Sequence, residues 1–288
     1  MTERVWTVRD ALEWTTGYLA KKRIEQPRLS AEWLLSSATQ LSRVQLYALY
    51  DRPLSPEELV RLRQAVEVRA TGTPLQYVTG EMPFRHIVVK VVPGVFIPRP
   101  ETEILVDSAL GATRGIEEPR IVDLCTGSGC VACSIAEERA QARVWATELD
   151  ATALGVARDN VERLGLGDRV SVLEGDLFDP LPRDLRGGVD AVVANPPYVS
   201  SEDMNDLPEE VFGHEPHLAL DGGPDGLDVA RRIMRDALEW LAPGRVLLME
   251  LDERRVEDAA NEMQAWYEGV ETVSDLADRP RIVSGRRP

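Results

Sequence analysis

From about residue 96 onward the chain repeats one local pattern: a short apolar run, a polar or Gly-rich turn, then an amphipathic stretch with helical spacing. The runs fall at 121–124, 143–147, 170–173, 189–194 and 245–251, with weaker ones near 269–274 and 281–284. Strands separated by helices are mostly parallel, because the helix is the return path, and the helices then cover both faces of the sheet. The predicted fold class is α/β, with a mostly parallel sheet of seven strands.

Residues 1–80 carry a different period and read as a small helical domain. Ser55-Pro56-Glu57-Glu58 combines a capping Ser, Pro at the first helical position and Glu three residues after the Ser, and Leu59, Leu62 and Val66 then share a face. Ser30 before Ala31-Glu32-Trp33-Leu34-Leu35 and Thr7 before Val8 mark two further helix starts. Trp33, Leu34, Leu46 and Leu49 read as helical core. Between Phe84 and Ile97 the alternation His86, Val88, Lys90, Val92 and the turn Pro93-Gly94 predict a β-hairpin. The chain thus divides into a helical domain at 1–80, a hairpin linker at 81–95 and an α/β domain at 96–288.

The α/β region carries the chemistry. The run Arg120-Ile121-Val122-Asp123-Leu124 leads into Cys125-Thr126-Gly127-Ser128-Gly129 and an apolar helix start at Cys130, a strand, Gly-rich turn and helix in succession. Glycines at 127 and 129 let backbone approach a ligand, but position 132 is Ala and no basic residue follows to meet a phosphate. A neutral or cationic adenosyl ligand fits better than a pyrophosphate. The next strand ends in Glu148, placed to accept hydrogen bonds from both ribose hydroxyls, and the one after leads to Asp176, placed to meet an adenine amino group. The strand Ala191-Val192-Val193-Ala194 ends in Asn195-Pro196-Pro197-Tyr198. The prolines stop the strand and hold Asn195 at its C-terminal edge. Its side-chain oxygen and the Pro196 carbonyl can together accept both hydrogens of a planar NH2 group.

This order, Asp123-Leu124-Cys125-Thr126-Gly127-Ser128-Gly129, Glu148, Asp176 and Asn195-Pro196-Pro197-Tyr198, resembles the class I S-adenosylmethionine-dependent methyltransferases that act on amide or amine nitrogens, with their Rossmann-like sheet. Within them the chain is most similar to the HemK/PrmC protein-glutamine N-methyltransferases of peptide chain release factors. Three further stretches carry that likeness: Gly72-Thr73-Pro74-Leu75-Gln76-Tyr77-Val78-Thr79-Gly80, Phe96-Ile97-Pro98-Arg99-Pro100-Glu101-Thr102-Glu103 and Glu215-Pro216-His217-Leu218-Ala219-Leu220-Asp221-Gly222-Gly223. The resemblance implies methyl transfer from S-adenosylmethionine to a glutamine side-chain amide in a GGQ-type loop. It implies cofactor contacts at Asp123, Cys125, Thr126, Gly127, Ser128, Gly129, Glu148, Asp176, Leu177 and Asn195. Catalysis falls to Asn195, Pro196 and Tyr198. The substrate side comprises Phe96, Arg99, Glu101, Asn195, Pro196, Pro197 and Tyr198. Arg99 and Glu101 have an equally simple alternative, a local ion pair at the domain junction.

The chain departs from the family at several places. Cys125 stands where Gly is usual and is accommodated if its φ is negative. Leu177 replaces an aromatic that often packs on adenine, Pro243-Gly244-Arg245 replaces a Gly-Gly pair, and Met249-Glu250-Leu251-Asp252 replaces a Glu-Ile-Gly ending. His86, His214 and Glu215 read as structural. Exchange of the protein substrate for a small-molecule amine or amide, or less readily for nucleic acid, is the alternative reading, and a relic site that only binds is a second one.

Composition narrows these choices. A net charge of −16, from 33 Lys and Arg against 49 Asp and Glu, opposes broad contact with a phosphate backbone and fits a basic protein partner better, the alternative being that the acidity only keeps the protein in solution and sets no partner. Three cysteines, all between 125 and 133, give no disulfide framework, and their spacing lacks the fourth ligand of an iron–sulfur cluster, so no metal is expected. No apolar run reaches membrane-spanning length, and Met1-Thr2-Glu3-Arg4-Val5 has no leader pattern. The expectation is a cytoplasmic monomer.

Overall fold

The computed structural model describes residues 5–288; residues 1–4, part of the stretch read for a leader, lie outside the described residues. The chain forms two compact units, Met1–Glu81 and Met82–Pro288. The first holds α1 (Val8–Lys21), α2 (Pro27–Thr39), α3 (Arg43–Ala48), α4 (Pro56–Arg69) and α5 (Leu75–Thr79). Thr7 with Asp10 and Ser55 with Glu58 form reciprocal capping boxes at α1 and α4. Helix α2 starts earlier than the Ser30 reading has it: Pro27 takes the first helical position and Ser30 lies inside the helix, its N–H donating to the Gln26 carbonyl at 3.0 Å. Leu12, Leu19, Leu34, Leu35, Leu46, Leu62 and Val66 build this unit's core. Trp33 is only half-buried, and Leu49 is 40% exposed, because it caps α3 where the chain leaves the helix.

Strands β1 (Glu81–Phe84) and β2 (Ile87–Lys90) pair as the hairpin. Its turn is Arg85-His86, with Arg85 at φ +51°, and not Pro93-Gly94, which forms a separate turn further on. Arg85 is anchored there by Glu138 and Asp107, which compensates a conformation that residues other than Gly rarely adopt. Buried Ile87 and Val89 seat β2 against helices of the second unit.

The rest of that unit runs α6 (Glu103–Ala112), β3 (Arg120–Leu124), α7 (Cys130–Glu138), β4 (Arg143–Glu148), α8 (Ala151–Arg163), β5 (Val170–Glu174), β6 (Val189–Ala194), α9 (Glu209–Phe212), α10 (Asp228–Trp240), β7 (Leu241–Glu250), α11 (Val256–Met263), β8 (Glu268–Ser274) and β9 (Pro280–Arg286). The seven strands lie in the order β5-β4-β3-β6-β7-β9-β8, parallel from β5 to β7, with β9 antiparallel to both its neighbours. Apolar residues on successive positions, such as Ala191–Ala194, are all buried, as expected for strands covered on both faces. The chain builds outward from β3 to β5, then crosses back to lay β6 on the other side of β3. Loops after β3 and β6 therefore diverge, opening a crevice at the C-terminal edge of the sheet. Among the described residues no helix is long and apolar enough to cross a membrane.

Candidate active site

The turn after β3 is organised by Asp123, which is 1% exposed. Its Oδ2 accepts the Thr126 hydroxyl at 2.5 Å and the Ala132 N–H at 3.2 Å. The second bond matters because α7 has no side-chain cap of its own, and the carboxylate meets an otherwise orphaned N–H in its first turn. Burial pushes the Asp123 carboxyl up to about 7, against the lowering effect of these two donors. The turn is pinned sideways as well, by the Thr126 N–H on the Thr147 carbonyl at 3.1 Å.

Two residues depart from expectation in this turn. Cys125 adopts φ +55°, not a negative angle: the chain must leave β3 sharply for the Thr126 N–H to reach β4. A non-Gly residue in this region costs roughly 1–3 kcal/mol. Gly129, at φ +79°, does not line the cleft; a Cβ there would meet the Ala157 Cβ at 3.3 Å, so this glycine lets α7 and α8 pack closely. Gly127 does line the cleft, at φ +57°. Burial raises all three cysteine thiols, which keeps them protonated and poorly nucleophilic.

Glu148 ends β4 with its carboxylate already engaged. Oε2 accepts the Gly127 N–H at 2.8 Å, and Oε1 accepts the N–H groups of Leu149 and Asp150, each at 2.9 Å. Burial raises its pKa against those three bonds. A carboxylate offers about four acceptor positions, so one is left on Oε2, enough for one ribose hydroxyl rather than for both. Asp176 forms an ion pair with Arg232 at 2.6 Å, both partly exposed. Leu177, at φ +48°, is buried in the sheet's core.

Asn195 leaves β6 beside the turn, because Ala194 pairs with Leu124 in the sheet. Its Nδ2 donates to the Thr102 hydroxyl at 3.3 Å, and that hydroxyl donates to Glu250 Oε1 at 3.1 Å. Glu250 is 2% exposed at the end of β7, its Oε2 has no partner, and burial pushes its carboxyl up to about 7. Pro197 and Tyr198 are half-buried, Pro196 fully so. Burial, reinforced by the Glu250 charge, raises the Tyr198 phenol, so it stays protonated. Glycines hold the opposite wall: a Cβ on Gly222 would lie 2.6 Å from the Pro197 oxygen and one on Gly226 2.3 Å from the Tyr198 oxygen.

Arg99 and Glu101 do not pair with each other. Arg99 pairs with Glu215 and lies over the Phe96 ring at 4.7 Å, while Glu101 pairs with Arg279 at 3.2 Å. Glu215, 5% exposed, also accepts the Ile97 N–H at 3.3 Å, and so ties the 96–99 segment to the loop after β6.

One cleft gathers Phe96, Asp123, Cys125, Thr126, Gly127, Ser128, Glu148, Asp176, Leu177, Asn195, Pro197 and Tyr198. Gly129, Pro196, Arg99 and Glu101 do not line it. Among its described charged residues, Asp123, Glu148, Asp150 and Asp176 face a single base, Arg232. That balance suits a ligand rich in hydroxyl and amino donors or bearing positive charge, and not a phosphate. S-adenosylmethionine meets that description: Gly127 and Glu148 would hold its sugar end and Asp176 an amino group. Sequence reading passes over Thr102, Glu250 and Arg232 as site residues. Thr102 lies within the quoted stretch from Phe96 and Glu250 ends the strand beside Asn195's own, a neighbour relation that strand order alone supplies.

Comparison with known proteins gives matches over both units. Residues 10–80 match the PrmC N-terminal domain and residues 89–223 the methyltransferase small domain. The chain is 45% identical over 253 residues to a release factor glutamine methyltransferase of Geobacter sulfurreducens, covering 87% of each protein. Proteins of the same name from Moorella thermoacetica and Rhodopirellula baltica are 42% and 38% identical, over 96% and 97% of this chain and 96% of each relative. Among solved structures, the hMettl16 catalytic domain in complex with a 3'UTR hairpin superposes with a TM-score of 0.58 at 17% identity, over 77% of this chain and 81% of that one. The T. thermophilus 16S rRNA N2 methyltransferase RsmC, with AdoMet and guanosine, gives 0.51 at 17% identity, over 72% and 50%. At such identities these two establish the fold.

Proposed function

Since the chain belongs to the release factor glutamine methyltransferase family, we propose that the cleft at the ends of β3, β4 and β6 is where its reaction takes place. The enzyme transfers a methyl group from S-adenosylmethionine to the side-chain amide nitrogen of a glutamine in a peptide chain release factor. The observation that carries the site assignment is the pairing of Leu124 with Ala194, which brings the Gly127 turn and Asn195 out of the sheet side by side.

Bound S-adenosylmethionine supplies an electrophilic methyl group and a good leaving group, so the protein's task is to bind and aim. Gly127 and the free acceptor of Glu148 hold the cofactor; Asp176, Leu177 and Phe96 bound the space around it and the substrate. The amide nitrogen of glutamine is a weak nucleophile, its lone pair shared with the carbonyl. Asn195 Oδ1 accepts one of its hydrogens, which orients the nitrogen and stabilises the positive charge that develops there, and the methylated nitrogen then sheds one proton to water to give the neutral methyl amide. The Pro196 carbonyl serves as a second acceptor, and Tyr198 closes the substrate edge as a neutral phenol. Arg99 and Glu101 act on the substrate side through the segment they hold, with Glu215 and Arg279 as their partners.

The helical domain at 1–80 recognises the folded release factor, giving a selectivity that an amide pocket alone lacks. The protein works as a cytoplasmic monomer without stable nucleic-acid binding, in keeping with its charge of −16. The deciding experiment incubates the enzyme and labelled cofactor with intact release factor, RNA and small amines in parallel and maps the label by mass spectrometry. Methylation of a release-factor glutamine alone supports the reading, and label on RNA or amines only would sink it. Light scattering and RNA gel shifts check the other two points, and a variant lacking residues 1–80 should lose activity on the intact factor while retaining it on a glutamine peptide.

A further inference from the structure

We infer that Thr102 and Glu250 form a positioning relay that decides which end of the Asn195 amide faces the substrate. The inference rests on Asn195 being the acceptor for the substrate amide. A threonine hydroxyl has one proton and two lone pairs. Here the proton goes to Glu250 Oε1 at 3.1 Å, so only lone pairs remain toward Asn195, and the group meeting them at 3.3 Å must be a donor. That requirement assigns Nδ2 to the Thr102 side. The oxygen of the same planar amide then points away from Thr102, and among the described residues no protein donor reaches it. Asn195 lines the cleft, so its carbonyl oxygen is left for the incoming NH2 group.

With the amide reversed, two acceptors would meet at Thr102 and two donors would meet at the substrate. An Asn without the relay has no reason to prefer the productive orientation. Asp at the same position has no such choice to make: both of its oxygens are acceptors, so one faces the substrate whichever way the carboxylate turns, while the contact to Thr102 loses its donor. Burial makes the relay specific: Thr102 and Glu250 are each 2% exposed. Their backbones are fixed independently, Thr102 by its N–H on the Arg99 carbonyl at 3.1 Å and Glu250 by its pairing with Ile282 in β9. A buried carboxylate with one oxygen unsatisfied is otherwise a destabilising choice for a strand end.

The test is steady-state methylation of purified release factor by Thr102→Val, Thr102→Ala, Thr102→Ser, Asn195→Ala and the double variant Asn195→Ala/Thr102→Val. Thr102→Val should lower kcat about tenfold, with KM for the release factor and Kd for S-adenosylmethionine within about twofold. Thr102→Ser should restore the rate to within about twofold, and the double variant should be no slower than Asn195→Ala. Should the Val variant fail to fold, Thr102→Ala carries the test, because it removes the same hydroxyl without added bulk and the relay requires the same loss of kcat. The relay is overturned by a cofactor-binding Thr102→Val or Thr102→Ala with normal kcat, by failure of Ser to rescue, or by further loss in the double variant. A wild-type rate for Asn195→Ala would instead remove the reading of Asn195 on which the relay stands.

Discussion

Asp123 and Glu250 are two carboxylates in equivalent places, each at or near the C-terminal end of a central strand, nearly inaccessible, and pushed up to about 7 by burial. They are used differently. Asp123 closes a local circuit, with partners 3 and 9 residues away, and both donors converge on one oxygen. Glu250 reaches a residue 148 positions earlier and leaves its second oxygen unpaired. The local circuit shapes backbone for the cofactor, whereas the distant one directs a single side chain toward the substrate. A buried charge is thus tolerated in one case because it builds a turn, and in the other because it sets the direction of an amide.

The comparison can be broken most severely at the end of the relay. Asn195→Ala should reduce kcat by on the order of a hundredfold or more, as for loss of one oriented group at a reacting centre, with cofactor affinity and thermal midpoint nearly unchanged. Single-turnover methylation with parallel calorimetry checks both halves. Asp123→Ala should behave in the opposite sense. It strands the Thr126 hydroxyl and the Ala132 N–H, so unfolding free energy in urea should fall by about 2 kcal/mol and S-adenosylmethionine should bind more weakly. If Asp123→Ala were stable and bound cofactor normally, the turn would not depend on that circuit.

Glu148→Ala sharpens the cofactor side. With three of its acceptor positions on backbone N–H groups, its direct contribution to the ligand is that of one charged hydrogen bond, about tenfold in Kd. A hundredfold loss by titration would mean that the backbone it holds had moved as well. The smallest effect concerns Glu250 and pH. A carboxyl raised above its unfolded value favours the protonated folded state, so stability is fullest below about pH 4 and declines as pH rises through about 7. Arg281 and Arg99 oppose this rise while Glu101 adds to it. Glu250→Gln removes that titration, so the variant should match the wild type at pH 4 and exceed it by on the order of 1 kcal/mol at pH 8. Equal melting curves at both pH values would show that the buried charge does not titrate in this window.

The same contrast between local and distant partners separates what is legible in the sequence from what is not. The central strands β3 and β6 are legible because double-sided burial writes itself as continuous apolar sequence, whereas the edge strand β8, with no buried residue, leaves only a weak run. Asp123, Gly127 and Glu148 are legible because strand, turn and helix follow one another directly. The capping boxes at Thr7 and Ser55 are equally local, and a start at Ser30 is misplaced because it weighs a cap above the proline three residues before it. Thr102, Glu250 and the true partners of Arg99 and Glu101 are not legible, since each depends on which strands become neighbours. Cys125 escapes local reading for a related reason. Its positive φ is imposed by a hydrogen bond to β4, which spacing along the chain does not reveal.

The long reach from Thr102 to Glu250 also has a consequence in time. At about 5–20 residues per second of synthesis, the 148 residues between them take roughly 7–30 s to appear. The turn around Asp123, whose partners lie within 9 residues, needs no such wait. A growing chain can therefore have the elements of its cofactor turn well before its Asn195 amide has a direction. The last parallel strand, β7, is what gives that amide its direction.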